Sequence, residues 1–270
     1  MHLLKRLFDF YLQASIHVAF AVYSLVRMTQ HQFDIDNGQH VGWFAFFGTV
    51  AGYNFVKYDA LARVRKAPIS PKLRLIAIVS FFSFLLCGWF FLQLSITTKI
   101  VAAAVLFLTM LYTLPFFPNR RNARNWAGFK IYIVACCWVG VTLFLPVLDG
   151  GLSLTADFSL KCIQRFLLVF ILILIFEIID LAKDDPHLQT VPQQIGVKRT
   201  KIVGTLLLTP FYLLEFLNSQ TNSAQLLVNL VIILIIAAFL WNANERRSSY
   251  YSAFWAEAIP ILWLILVLML

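Results

Sequence analysis

Three acid side chains, Glu177, Asp180 and Asp184, are spaced i, i+3 and i+7, so on a helix they share one face. They follow the apolar run from Phe166 to Phe176, which carries no ionisable residue. A carboxylate at the end of such a run is costly to place and is functional by default. Hard oxygen ligands with open coordination positions suit Mg²⁺, an ion usually shared between protein carboxylates and substrate phosphates. The chemistry on offer is the holding of a diphosphate through divalent metal. A plainer use is a solvated helix end whose acids pair with Lys183 and Lys198. That use covers Asp184 and Asp185 and leaves Glu177 and Asp180 without a reason.

A second set is Tyr53, Asn54, Lys57, Tyr58 and Asp59, in which Asn54, Lys57 and Tyr58 fall on one helical face. An amide oxygen can ligate metal, and a lysine can hold phosphate as a point charge. Equally, Lys57 can snorkel to lipid headgroups and Asn54 can bond a neighbouring helix. His187, next to Pro186 in the segment that follows the acids, reads as a solvated loop histidine. His17, inside an apolar run, reads as a buried hydrogen-bonding residue and not as a ligand.

The elements that must position these residues are membrane helices. The 270 residues are 60% hydrophobic and only 13% charged, which a soluble domain of this length would not be. Runs such as Leu226 to Leu240 do not alternate in polarity, so a lipid-facing β-barrel is excluded and helices that satisfy their own backbone are expected. Nine spans are expected, near 9–27, 41–61, 73–94, 100–117, 129–148, 160–182, 201–217, 224–241 and 252–270. The first reads as an uncleaved membrane helix after Lys5 and Arg6. The net charge of +9 is a topology signal here, not a nucleic-acid footprint. Basic residues gather in alternate connections: Arg63, Arg65, Lys66, Lys72 and Arg74; Arg120, Arg121 and Arg124; Lys183, Lys198, Arg199 and Lys201; Arg246 and Arg247. The connections between them are nearly free of such residues, which places the N-terminus in the cytoplasm and the C-terminus outside. No inverted repeat of interrupted helices is visible, against an ion-coupled transporter. Cys87, Cys136, Cys137 and Cys162 lack metal-type spacing and read as small buried hydrophobes. The stretch from Ala182 to Thr200 holds Pro186, Pro192 and Gly196, so it is not one continuous helix.

With these segments in place the chain resembles the UbiA superfamily of intramembrane prenyltransferases. The residues that carry the resemblance are Asp180-Leu-Ala-Lys-Asp184, then Thr190-Val-Pro192, then Gly196-Val-Lys198-Arg-Thr200. The first acidic motif of that family is matched only in part. Asn54 is present, but Phe55, Tyr58 and Ala62 stand at the acidic positions and Asp59 lies one position out of register.

The resemblance implies an all-α, nine-helix membrane domain, residues 1–270, arranged around a central cavity open to the cytoplasm. It implies Mg²⁺-dependent transfer of a prenyl group from an isoprenyl diphosphate to a hydrophobic acceptor, an aromatic or quinone precursor. Metal would be held by Asp180 and Asp184, with Asn54 and Glu177, and diphosphate by Lys57, Arg120, Arg121, Lys130, Lys183 and Lys198. Lys57 would take over from a metal that the incomplete first motif does not hold. Departure of the diphosphate leaves allylic cation character that aromatic faces stabilise; none of Trp43, Tyr53, Tyr58 and Tyr112 is assigned that role. The incomplete motif also admits a second expectation, a UbiA-fold protein that binds or transports an isoprenoid or other amphipathic lipid.

Overall fold

The computed structural model of the chain describes residues 2–64, 70–113, 128, 130–185, 188–219 and 222–269, and every regular element among them is helical. Helices α1 (His2–Gln13) and α2 (Ile16–Gln32) come first, then α3 (Gln39–Val64), α4 (Pro71–Gln93) and α5 (Ile96–Thr113). Helix α6 (Lys130–Val139) runs through a π-helical turn, Gly140–Phe144, into α7 (Leu145–Asp149). After α8 (Ala156–Asp180) comes the short α9 (Val191–Ile195), followed by α10 (Val197–Leu213), which tightens into a 3₁₀ turn at Leu214–Leu217. Helix α11 (Ser223–Asn242) and a second π-helical stretch, Tyr251–Ala256, lead to α12 (Ile259–Leu268).

Local chemistry sets several of these ends. Ser70 caps α4 by accepting the Leu73 N–H at 3.3 Å, with Pro71 in the first turn, where no N–H is missed. Thr155 caps α8 through Phe158 N–H at 3.3 Å, and Asn222 caps α11 through Gln225 N–H at 2.7 Å. Gly196 adopts φ 79°, the left-handed turn that separates α9 from α10.

Among the described residues, six stretches are long and apolar enough to cross a membrane: Pro71–Gln93, Lys130–Asp149, Ala156–Asp180, Val197–Leu217, Ser223–Asn242 and Tyr251–Leu268. The chain is an integral membrane protein. Large apolar side chains such as Phe81, Phe82, Phe84 and Trp89 stand outward on α4, as lipid contact requires. Within the described residues the other expected segments are also helical, with one correction. The segment 9–27 is broken at Ala14 and Ser15, where Ser15 takes φ 58°, instead of forming one rod. The segment 41–61 lies in α3, and the apolar part of α5 is the shorter Ile96–Leu111.

Helix α8 is the centre of the bundle. Leu168, Ile171, Ile175 and Ile178 are fully enclosed and join a core built with α10, α11 and α12. A second core collects Val22 and Val26 with Val41, Ala45, Ala102 and Leu145, and Trp138 packs against both. Gly204 lets α10 approach α11, because a Cβ there would stand 2.6 Å from Leu240 Cδ2. At the end away from the acids, Asp149 accepts from the Ser95 N–H at 2.8 Å and bonds His40 Nε2 at 2.6 Å, tying three connections together. All four cysteines are free, and Cys136, expected to be buried, is exposed on the outer face of α6.

Candidate functional site

Helix α8 ends at Asp180, and the backbone folds into a turn in which the N–H groups of Lys183 and Asp184 both bond the Asp180 carbonyl, at 2.8 and 2.9 Å. The turn brings Asp184 back over the helix end. Asp180 and Asp184 are half-buried, whereas Glu177, one turn deeper, is only 3% exposed. Glu177 Oε2 accepts the N–H of Val191 at 3.1 Å. That N–H is the first of α9 and has no partner inside its own helix, so the buried carboxylate serves as its acceptor and anchors the loop after the acids. Thr190 N–H is bonded by Gln193 Oε1 at 2.9 Å, which closes the same turn.

Among the described residues, two cations attend this end. Lys183 Nζ lies 3.8 Å from Asp180 Oδ1. Lys130, at the start of α6, is within electrostatic reach of both Glu177 and Asp180, and so is Asp184. Helix α6 packs on α8, which is why its first residue arrives here. Glu177, Asp180, Asp184, Lys130 and Lys183 therefore form one cluster at the end of α8. Lys198 stands exposed at the start of α10. Arg120, Arg121 and His187 lie outside the described residues, as does the side chain of Asp59.

This donor set fits a hard cation. Among the described residues no three His, Cys, Asp or Glu side chains form a ready-made metal cage. One oxygen of Glu177 is engaged by backbone. Asp180 and Asp184 remain as adjacent oxygen donors, a pair that leaves coordination positions open to phosphate.

Asn54 and Lys57 are engaged elsewhere. The break after α1 releases the carbonyls of Gln13 and Ala14 from helical bonding, and α3 supplies donors to them. Asn54 Nδ2 donates to Ala14 O at 3.0 Å and to Ser80 Oγ at 2.9 Å, Tyr58 donates to Gln13 O at 2.9 Å, and Lys57 Nζ reaches the same carbonyl at 3.4 Å. Asn54 Oδ1 is left buried without a hydrogen bond, an orphaned acceptor next to the break. Next to Asn54, Tyr53 accepts the indole N–H of Trp138 at 2.9 Å, linking α3 to α6.

Sequence reasoning passed over several buried polar residues. Lys161 Nζ lies 2.8 Å from both oxygens of Glu215, and Gln164 Nε2 donates to the same carboxylate at 2.9 Å. Arg165, 3% exposed, donates to Leu25 O at 3.1 Å and to Thr142 Oγ1 at 2.9 Å. Glu257 lies on the last span, within electrostatic reach of Lys57. An ionisable residue inside an apolar segment was the available signal for each. His17 is buried as expected, bonded to Tyr11 and to the Phe254 carbonyl, each at 2.8 Å.

No protein-family model matches the chain, and no curated protein matches it by sequence. Solved structures do match. A structure of digeranylgeranylglyceryl phosphate synthase superposes with a TM-score of 0.57 at 14% identity, over 98% of this chain and 96% of that one. A UbiA homologue from Archaeoglobus fulgidus bound to Cd²⁺ gives 0.58 at 14% identity, over 94% and 97%. A UbiA homologue from the same organism bound to GPP and Mg²⁺ gives 0.58 at 13% identity, over 96% and 98%. The chain has the fold of the UbiA homologues along nearly its whole length.

Proposed function

We propose that this UbiA-fold membrane protein is a prenyltransferase that moves a prenyl group from an isoprenyl diphosphate to a hydrophobic, aromatic or quinone-precursor acceptor. The observation that carries it is the cluster at the end of α8, where Asp180 and Asp184 stand together with Lys130 and Lys183 in reach. In this reading Asp180 and Asp184 hold Mg²⁺, with Glu177 anchoring the loop behind them. Bound there, the metal neutralises the leaving diphosphate. Lys130 and Lys183, with Lys198, Arg120 and Arg121, add positive charge to the phosphate, and the apolar interior receives the prenyl chain. The nine helical spans surround a cavity open to the cytoplasm, with the N-terminus inside and the C-terminus outside. The similarity to a UbiA homologue bound to GPP and Mg²⁺ supports this reading.

A second reading, a lipid-binding or lipid-transporting protein of the same fold, is favoured by one observation. Asn54, Lys57 and Tyr58 serve the carbonyls freed at the α1–α2 break. The test is pyrophosphate release by the purified protein with geranyl and longer prenyl diphosphates, with and without Mg²⁺. Release that needs Mg²⁺, Asp180 and Asp184 supports the transferase. Binding without release supports the second reading.

A further inference from the structure

Helices α10 and α11 pack together at Gly204 and yet leave a groove of about 310 Å³ between them. Its walls are mostly apolar, with Leu208 and Leu213 on α10 and Leu230, Ile233 and Ala237 on α11. Leu213 and Leu230 are exposed, so the groove opens to the lipid around the bundle. Thr205 lines the end of the groove nearest the start of α10. Its hydroxyl accepts the indole N–H of Trp241 at 3.0 Å, so that ring bridges the two helices over the end of the groove. One turn earlier on α10, Lys201 Nζ donates to the Trp241 carbonyl at 2.7 Å.

The last carbonyls of a helix have no partner within it, and at the end of α11 cations collect on them. Lys201 takes Trp241 O, and Arg247 Nε takes the next carbonyl, Asn242 O, at 3.2 Å. The Arg247 guanidinium also stands 5.3 Å from the centroid of the Tyr251 ring. Bonds to two successive carbonyls hold the two cations side by side. Each bond uses one donor, whereas an ammonium has three and a guanidinium five. Among the described residues neither cation forms an ion pair, and the acid of this connection, Glu245, is exposed. Helix capping accounts for the two bonds but leaves both charges without a counter-ion. Helix α10 follows the loop that Glu177 anchors through Val191, so this cationic ledge lies on the membrane face that carries Asp180 and Asp184.

We infer that the α10–α11 groove and its ledge bind an anionic phospholipid. The lipid phosphate sits against Lys201 and Arg247, and one acyl chain lies in the groove along Leu208, Ile233 and Leu213. The Trp241 indole, apolar in body and polar at its N–H, stands where head group meets chain. Charge complementarity selects the head. An anionic head neutralises the two cations, whereas a zwitterionic head brings an ammonium of its own against them. Basic pockets between membrane helices recognise anionic head groups in this way. The site is separate from the acids at the end of α8 and stands whether or not the protein transfers prenyl groups.

The test offers the full chain, delipidated in detergent, an equimolar mixture of dioleoyl phosphatidylglycerol and dioleoyl phosphatidylcholine, and counts retained lipid by native mass spectrometry. One cation beside an anionic head is worth about fivefold. The wild type is therefore expected to retain phosphatidylglycerol over phosphatidylcholine by about tenfold or more. Lys201→Gln/Arg247→Gln keeps donors for both carbonyls and removes both charges, and its preference is expected to fall by at least about fivefold. Ala237→Phe fills the groove and leaves both cations in place. It is expected to retain less phosphatidylglycerol than the wild type, and it serves where the Gln pair does not fold. Equal retention of the two lipids by the wild type, retention of neither, an undiminished preference in the Gln pair, or wild-type retention by Ala237→Phe overturns the inference.

Discussion

Thr29 on α2 donates its hydroxyl to the carbonyl oxygen of Thr142 across 2.6 Å, although 113 residues separate them. The carbonyl is available because Pro146, four residues on, has no N–H to offer it. Arg165 closes the same knot by donating to the Thr142 hydroxyl. Thr29→Val keeps the shape and removes the donor, leaving a buried acceptor unpaired. The bundle is expected to lose about 1–3 kcal/mol, read as a lower unfolding temperature in detergent, with diphosphate affinity unchanged.

Lys161 and Glu215 form a buried ion pair between α8 and the 3₁₀ turn after α10, far along α8 from Asp180. Glu215→Gln leaves the lysine buried without its counter-charge and is expected to destabilise by about 3–5 kcal/mol. The double variant Lys161→Met/Glu215→Leu removes both charges and is expected to recover most of that loss. A double-mutant cycle on unfolding free energy measures the coupling; additive losses would mean that the pair is not coupled.

Gly204 is a packing requirement. The added methyl of Gly204→Ala meets Leu240 Cδ2 at 2.6 Å, with Leu174 Cδ1 at 3.4 Å behind it. Overpacking of this kind costs about 1–3 kcal/mol. Leu240→Ala in the Gly204→Ala background is expected to relieve the clash, which thermal unfolding of the single and double variants checks.

Lys57 and Tyr58 contact the same Gln13 carbonyl and separate two roles for α3. If Lys57 also serves the diphosphate, Lys57→Met weakens geranyl diphosphate binding by about tenfold, or ~1.4 kcal/mol, with little change in unfolding temperature. Tyr58→Phe removes only the bond to the helix break and is expected to cost about 1 kcal/mol of stability while leaving affinity alone. Titration of both variants with the ligand distinguishes these effects.

The helical elements were legible in the sequence because apolar length alone specifies a membrane helix. The loop after the acids was legible too, since Pro192 and Gly196 punctuate it, and α9 with its φ 79° glycine is the result. The α1–α2 break was not legible: Ala14 and Ser15 carry no turn signal, and the break is sustained by donors from α3, 40 or more residues away. Lys161–Glu215, Arg165 and Glu257 escaped for the same reason. Each acts across long separations, such as the 54 residues between Lys161 and Glu215, and spacing within one helix says nothing about partners on another. That Asp180 and Asp184 stand together was legible because both lie at one helix end.

The most direct measurement is geranyl diphosphate affinity for the wild type and for Asp180→Asn/Asp184→Asn, each titrated in Mg²⁺ and again in EDTA. Tight binding by the wild type in Mg²⁺, weakened at least about a hundredfold (~2.7 kcal/mol) by EDTA or by the double substitution, is the expected result. Equal affinity in all four titrations would contradict the assignment of these two acids to the metal-bound diphosphate.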